Sequence, residues 1–184
     1  MKRTLEMIAA SDDDGGPFFA GLEAAVGSAE VMRLAVFDTV SPTDVAEGKF
    51  FTAFASPNIG HRDQCNMQRA GCLATDGYYR IKRLLVGAPI EVLKSWASAR
   101  AVLHVGLQPL FSMPLWGPPD PETVGIRIEQ VTPMGWTFMG WELAAGGFFV
   151  SPRQPFHVLV EAPAECHPGG DLRVVLDGDT LRGV

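Results

Sequence analysis

The side chains best equipped for chemistry are few: four histidines, three cysteines, an acidic triplet and a run of aromatics. His61, Cys65 and Cys72 fall within one stretch, and Cys166 adjoins His167. Thiolates and imidazoles suit Zn²⁺, which takes four such ligands at the corners of a tetrahedron. The Cys65–Cys72 interval is not that of a Cys-x-x-Cys knuckle, however, and a fourth ligand has to come from a distant loop. Small buried thiols and loop histidines account for the same residues more simply. A Cys166 nucleophile with His167 as its base fails on geometry, because adjacent side chains diverge and no orienting Asn or Asp accompanies them. Asp12, Asp13 and Asp14 offer the oxygens Ca²⁺ takes, without the alternating ligands and closing Glu of a dedicated loop. Neither a Gly-rich phosphate loop nor a Gly-x-Ser-x-Gly elbow occurs. No catalytic residue, metal or cofactor is expected.

Histidines at 61, 104 and 157 are also the set a cupin-like metalloenzyme would place inside a β-barrel. His104 stands on the opposite parity from Leu103, Val105 and Leu107, and His157 opposes Phe156 and Val158 in the same way. With the apolar parity facing the core, both histidines face outward, so the cupin is the second choice. The aromatics Trp136, Phe138, Trp141, Phe148 and Phe149 suit core filling, a protein–protein contact or a sugar platform. Trp136, Trp141, Phe148 and Phe149 are the candidate subunit-interface residues. A carbohydrate-binding β-sandwich using Trp136 and Trp141 is the third reading.

The elements that position these residues are short and turn-punctuated. Residues 1–17 form a polar arm closing in Asp-Asp-Asp-Gly-Gly-Pro, and Phe18 to Ala29 permits a short amphipathic helix. Val31 to Val40 is a strand candidate with a helical rival. Phe50 to Ala55 follows with both faces covered, and a polar loop runs from Ser56 to Arg69. Tyr78 to Val86 reads as a strand with Tyr79, Ile81 and Leu85 on one side and Arg80 and Lys82 on the other. A helix opens after Pro89, with Ile90, Leu93, Trp96 and Ala97 on one face. Alternation marks further strands at Leu103–Leu107, Val124–Glu129, Trp136–Trp141, Gly147–Val150, Phe156–Glu161 and Leu172–Leu176, with Asp177-Gly178 as a turn. No fixed-period repeat and no βα alternation occurs. The expectation is one all-β domain over residues 18–184, a jelly-roll barrel or sandwich of about eight strands with one or two short helices.

Composition agrees with a folded domain. The chain has 184 residues, 47% hydrophobic and 20% charged, with 20 Gly and 14 Pro. Its 15 Lys and Arg against 21 Asp and Glu give a net charge of −6, which speaks against a nucleic-acid binder with a basic face. No apolar run reaches the roughly 18 residues of a membrane span. Glu6 and the aspartates that follow break any signal-peptide core. Three cysteines cannot all pair within the chain, so synthesis in a reducing cytoplasm is expected.

Two stretches carry a resemblance. Leu103-His-Val-Gly-Leu-Gln-Pro-Leu-Phe-Ser-Met-Pro-Leu-Trp-Gly-Pro-Pro follows directly on the Ile90–Arg100 helix. Phe148-Phe-Val-Ser-Pro-Arg-Gln-Pro-Phe-His-Val-Leu-Val leads to a last strand ending Leu176-Asp-Gly-Asp-Thr-Leu-Arg-Gly-Val. Over residues 50–184 the chain resembles the single jelly-roll capsid proteins of tailless icosahedral bacteriophages. In those, a helix feeds a strand and a Pro-bounded loop, and an "I-x-P-x-x-x-F-x-V" strand pairs with a final strand. The resemblance implies a virion subunit, major or minor, that assembles with its own copies and other capsid proteins into an icosahedral shell without catalysis. It also implies no sequence-specific contact with nucleic acid, and it accommodates a membrane layer beneath the shell. A mean hydropathy of +0.12 and seven methionines suit a chain that buries surface against its neighbours.

Overall fold

Strands form here because buried apolar residues alternate with more exposed ones at the two-residue period of a pleated chain. Phe156, Val158 and Val160 are buried, for example, while His157, Leu159 and Glu161 between them are only half-buried. The computed structural model describes residues 29–42, 50–54, 64–73, 77–116, 125–143, 147–163 and 166–183. The polar arm 1–17 and the helix expected from Phe18 lie outside these residues, except for Ala29, which opens the first strand.

Over the described residues the chain is all-β, with ten strands and one short helix. In order they are β1 (Ala29–Val40), β2 (Phe50–Ala53), β3 (Tyr78–Pro89), α1 (Ile90–Ser95), β4 (Arg100–Val105) and β5 (Gln108–Pro114), then β6 (Gly125–Val131), β7 (Trp136–Leu143), β8 (Phe148–Val150), β9 (Phe156–Glu161) and β10 (Leu172–Gly183). They build two antiparallel sheets. The larger runs β1-β10-β3-β7-β6 with β8 also on β3, and the smaller runs β2-β9-β4-β5. β7 and β8 lie in line along one edge of β3, opposite Arg83–Pro89 and Tyr79–Ile81. The pairing is therefore nested along the chain: β1 with β10, β2 with β9, β3 with β7 and β8, and β4 with β5.

One core joins the sheets, as in a β-sandwich. Tyr79 of the larger sheet stands 6.4 Å from Phe156 of the smaller, and Phe54 stands 5.8 Å from Phe156, ring centre to ring centre. The buried Tyr79 hydroxyl donates to the Leu176 carbonyl at 2.7 Å. Burial, reinforced by the charges of Asp177 and Asp179, raises its pKa, so it remains a donor. Buried Asp38 accepts the N–H groups of Thr39 at 3.0 Å and Phe54 at 2.8 Å. The free edge of β1 is closed by Asn66. Its side chain accepts from the Phe37 N–H at 2.7 Å and donates to the Ala35 carbonyl at 2.8 Å, as a neighbouring strand would. No described helix is long and apolar enough to cross a membrane.

Four expectations are corrected. The helix after Pro89 is only six residues long. Leu93 and Trp96 are fully buried as expected, while Ala97 is exposed because the chain has already left the helix. Gln108–Pro114, in the stretch where the resemblance implies a strand and then a Pro-bounded loop, is a strand. It lies at the edge of its sheet, where a missing N–H costs no ladder bond. Asp177-Gly178 is not a turn, since β10 runs straight through it. Gly178 opposes Ile81, and a Cβ there would collide with the Arg80 carbonyl. Finally, Lys82 is an extra residue in β3, between Ile81 opposite Gly178 and Arg83 opposite Asp177. This bulge switches parity, so Leu84 and Val86 enter the core and Leu85 faces outward.

Candidate subunit interface

The alternation of β7 sorts its aromatics. Thr137, Met139, Trp141 and Leu143 are buried toward the core, and Trp136, Phe138, Gly140 and Glu142 lie on the opposite face. Trp141 is 5% exposed, so the structure gives it to the core and leaves it no surface to offer a partner. The odd interval of five between Trp136 and Trp141 is the signal that separates them. Phe148 sits opposite Ile81 and packs partly against the core, whereas Phe149 sits opposite Arg80 on the outward face. Of the four candidates, Trp136 and Phe149 share the outer face of the larger sheet, Phe148 leans on the core, and Trp141 belongs to it.

Two residues that sequence reasoning passed over complete this face. The Arg173 guanidinium of β10 stacks on Phe37 of β1 at 4.7 Å and on Trp136 at 5.0 Å from the ring centres. Such cation–π contacts are worth about 0.5–1 kcal/mol each where solvent reaches them. Trp136 in turn stacks on Phe138 with ring centres 6.1 Å apart. Phe138 lies flat because its strand partner is Gly87, where any Cβ would run into the ring. Residues 37, 136 and 173 meet only once β1, β10, β3 and β7 are side by side, so no local pattern announces them.

The other half of the face is charged. Arg33 donates to Asp177 through Nε at 3.2 Å and Nη2 at 2.9 Å. Arg83 lies 3.6 Å from both Asp177 and Glu142. Asp179 is shared by Arg80 at 2.9 Å and Lys82 at 2.7 Å. Burial alone pushes the Asp179 carboxyl up, but hydrogen bonds and charge from Lys82 and Arg80 outweigh it and hold the group below the usual carboxylate range. The hydrogen bond to Asp177, followed by its charge, raises Arg33.

The residues weighed for metal and nucleophilic chemistry lie apart. His104 and His157 are directly opposite each other on β4 and β9, on the outer face of the smaller sheet. Their rings stack 4.7 Å apart at 13°. Burial holds His157 below the ordinary imidazole range, and the charge of His104 adds to this. His61 and Asp12–Asp14 lie outside the described residues. Cys65 is buried, its sulfur accepting the Met67 N–H at 3.1 Å. Burial pushes this thiol up to about 11, although the Met67 hydrogen bond pulls the other way. Buried Cys166 donates to the Ser95 carbonyl at 3.3 Å, while His167 beside it is exposed. Among the described residues no three His, Cys, Asp or Glu side chains gather as a metal requires.

The fold and this face define an all-β protein of two antiparallel sheets with an outward field of aromatics and paired charges. Comparison with protein-family models, curated proteins and solved structures finds no match to the chain.

Proposed function

We propose that this chain is a jelly-roll capsid subunit, major or minor, that assembles with its own copies and other capsid proteins into the icosahedral shell of a tailless bacteriophage. The nested pairing carries the reading. First strand with last, second with second-last, and so inward to a central hairpin is the order of a chain folded double and rolled into a jelly roll. Counting β7 and β8 as one broken strand leaves eight in two sheets of four, with β6 added at an edge.

That architecture is shared by capsid proteins, lectins and cupins, so the surface must choose among them. A cupin holds its metal on inward histidines, whereas His104 and His157 stack on the outside. A sugar platform on Trp136 and Trp141 loses its second ring to the core. An aromatic and charged outer face suits burial between copies. Size-exclusion chromatography with light scattering over a range of concentrations, with negative-stain images, tests the reading. Pentamers, hexamers or shell fragments that grow with concentration are expected. A monomer at every concentration, or a stoichiometric transition metal in the purified protein, overturns it.

A further inference from the structure

We propose that β6 pairs with β6 of a second copy, antiparallel about a two-fold axis at Ile128, so that the larger sheets of two copies join edge to edge. This rests on the self-association read above but needs no shell, and it names a strand, a register and a symmetry. Rings of five or six close through contacts around their own axes. A two-fold strand pairing is a different contact, one that links a ring to the next.

An open sheet edge is a template for another strand, and folded proteins blunt such edges. Of the four strands that end the two sheets, three are blunted. Asn66 plugs β1, Pro109 and Pro114 interrupt β5, and β2 is only four residues long. β6 ends the larger sheet with seven residues and no proline, and among the described residues no strand lies beyond it. Its Glu129, Gln130 and Val131 are exposed.

The β6–β7 hairpin fixes which backbone groups face that open side. The Thr132 N–H donates to the Trp136 carbonyl at 2.7 Å, which makes 132 and 136 a hydrogen-bonded pair. Such pairs recur at every second residue of an antiparallel ladder. Gln130, Ile128 and Ile126 therefore bond to Phe138, Gly140 and Glu142, while Val131, Glu129, Arg127 and Gly125 turn their N–H and C=O groups outward.

Two copies can pair only in registers that set these outward residues against each other, and charge chooses among them. Centred on Arg127, the pairing opposes two arginines; centred on Glu129, it opposes two glutamates. Centred on Ile128, it sets Arg127 opposite the partner's Glu129, twice over by symmetry, and Gly125 opposite the partner's Val131. Opposite charges directly across a ladder attract, and like charges repel. An edge carrying one sign of charge would repel its own copy in every register. The alternation of Arg127 and Glu129 leaves one register that attracts.

The test uses full chains in sedimentation velocity. Arg127→Glu and Glu129→Arg each put like charges opposite in this register. Each is expected to raise the concentration for half-association about tenfold, a change of about 1.4 kcal/mol. Mixed in equal amounts, the two variants are expected to pair as the wild type does, because each then meets its opposite charge. Both reversals in one chain should restore pairing likewise. Val131→Pro removes an outward N–H and no bond to β7, so it should keep the fold, as circular dichroism will report, and lose the pairing. It serves if a reversed chain does not fold. Single variants that associate as the wild type does, or that stay apart when mixed, overturn this contact and leave the capsid reading standing. A wild type that stops at a dimer, rebuilt by mixing the variants, upholds the contact and removes the shell. A wild type that stays monomeric at every concentration overturns both.

Discussion

At Gly178 the backbone of β10 passes so close to β3 that one added carbon has no room, since it would meet the Arg80 carbonyl and not a side chain that can swing aside. Gly178→Ala is therefore expected to cost about 3 kcal/mol or more in urea unfolding, at the severe end for a single methyl group. His157 makes a different kind of prediction. Its pKa is lower in the folded chain than in the unfolded one, because burial and then the charge of His104 disfavour the imidazolium. Below the unfolded value of about 6.5 the unfolded chain takes up a proton that the folded chain resists. Stability is thus full above that pH and falls as the pH drops toward the folded value. His157→Gln should flatten the slope of unfolding free energy between about pH 7 and about pH 5. An unchanged slope would refute the assignment. Asp179, also lowered, acts in a separate window, below its ordinary value of 3.8.

The strands show what alternation reveals and what it hides. β9, β10 and the second half of β7 follow the period-two pattern, and β1 settles as a strand because its partner β10 completes a twelve-residue ladder. Prolines at 109 and 114 hid β5, since they argue against a central strand and are silent about an edge. Asp177-Gly178 has the composition of a hairpin turn, and only the approach of β3 explains why glycine is needed there. β3 itself cannot be read by one parity. Lys82 interrupts it, and removing that residue on paper leaves Tyr79, Ile81, Leu84 and Val86 in uninterrupted alternation. Deleting Lys82 should therefore leave a folded chain that has lost chiefly its ion pair with Asp179, worth about 0.2–1 kcal/mol at the surface. Deleting Leu85 instead should throw one half of β3 out of register and abolish folding. Circular dichroism and thermal melts distinguish the two, and equal damage from both would mean the bulge is required for the fold.

For the whole molecule, the two sheets turn one sequence cluster into two roles. Trp136 and Trp141 look alike in the sequence, and both were candidates for a contact between copies. The sandwich separates them, because residues an odd number apart on a strand face opposite ways. Which outward residues join Trp136 depends on strand order, and for that reason Phe37 and Arg173 were out of reach before β1, β10, β3 and β7 were adjacent. The separation has a measurable consequence. Trp141→Ala empties a site in the core and should cost about 3–5 kcal/mol of folding stability. Trp136→Ala removes a ring that is half-buried on the outer face, and with it the stack on Arg173, so it should cost the fold only about 1 kcal/mol. If the outer face is where copies meet, the ranking reverses for association. Trp136→Ala should then raise the concentration at which large species appear in sedimentation velocity, by more than its small loss of stability explains. Trp141→Ala, at a temperature where it remains folded, should assemble as the wild type does. Should the two variants lose assembly only in proportion to their loss of stability, the outer face has no special part in association and the contacts between copies must be sought elsewhere on the molecule.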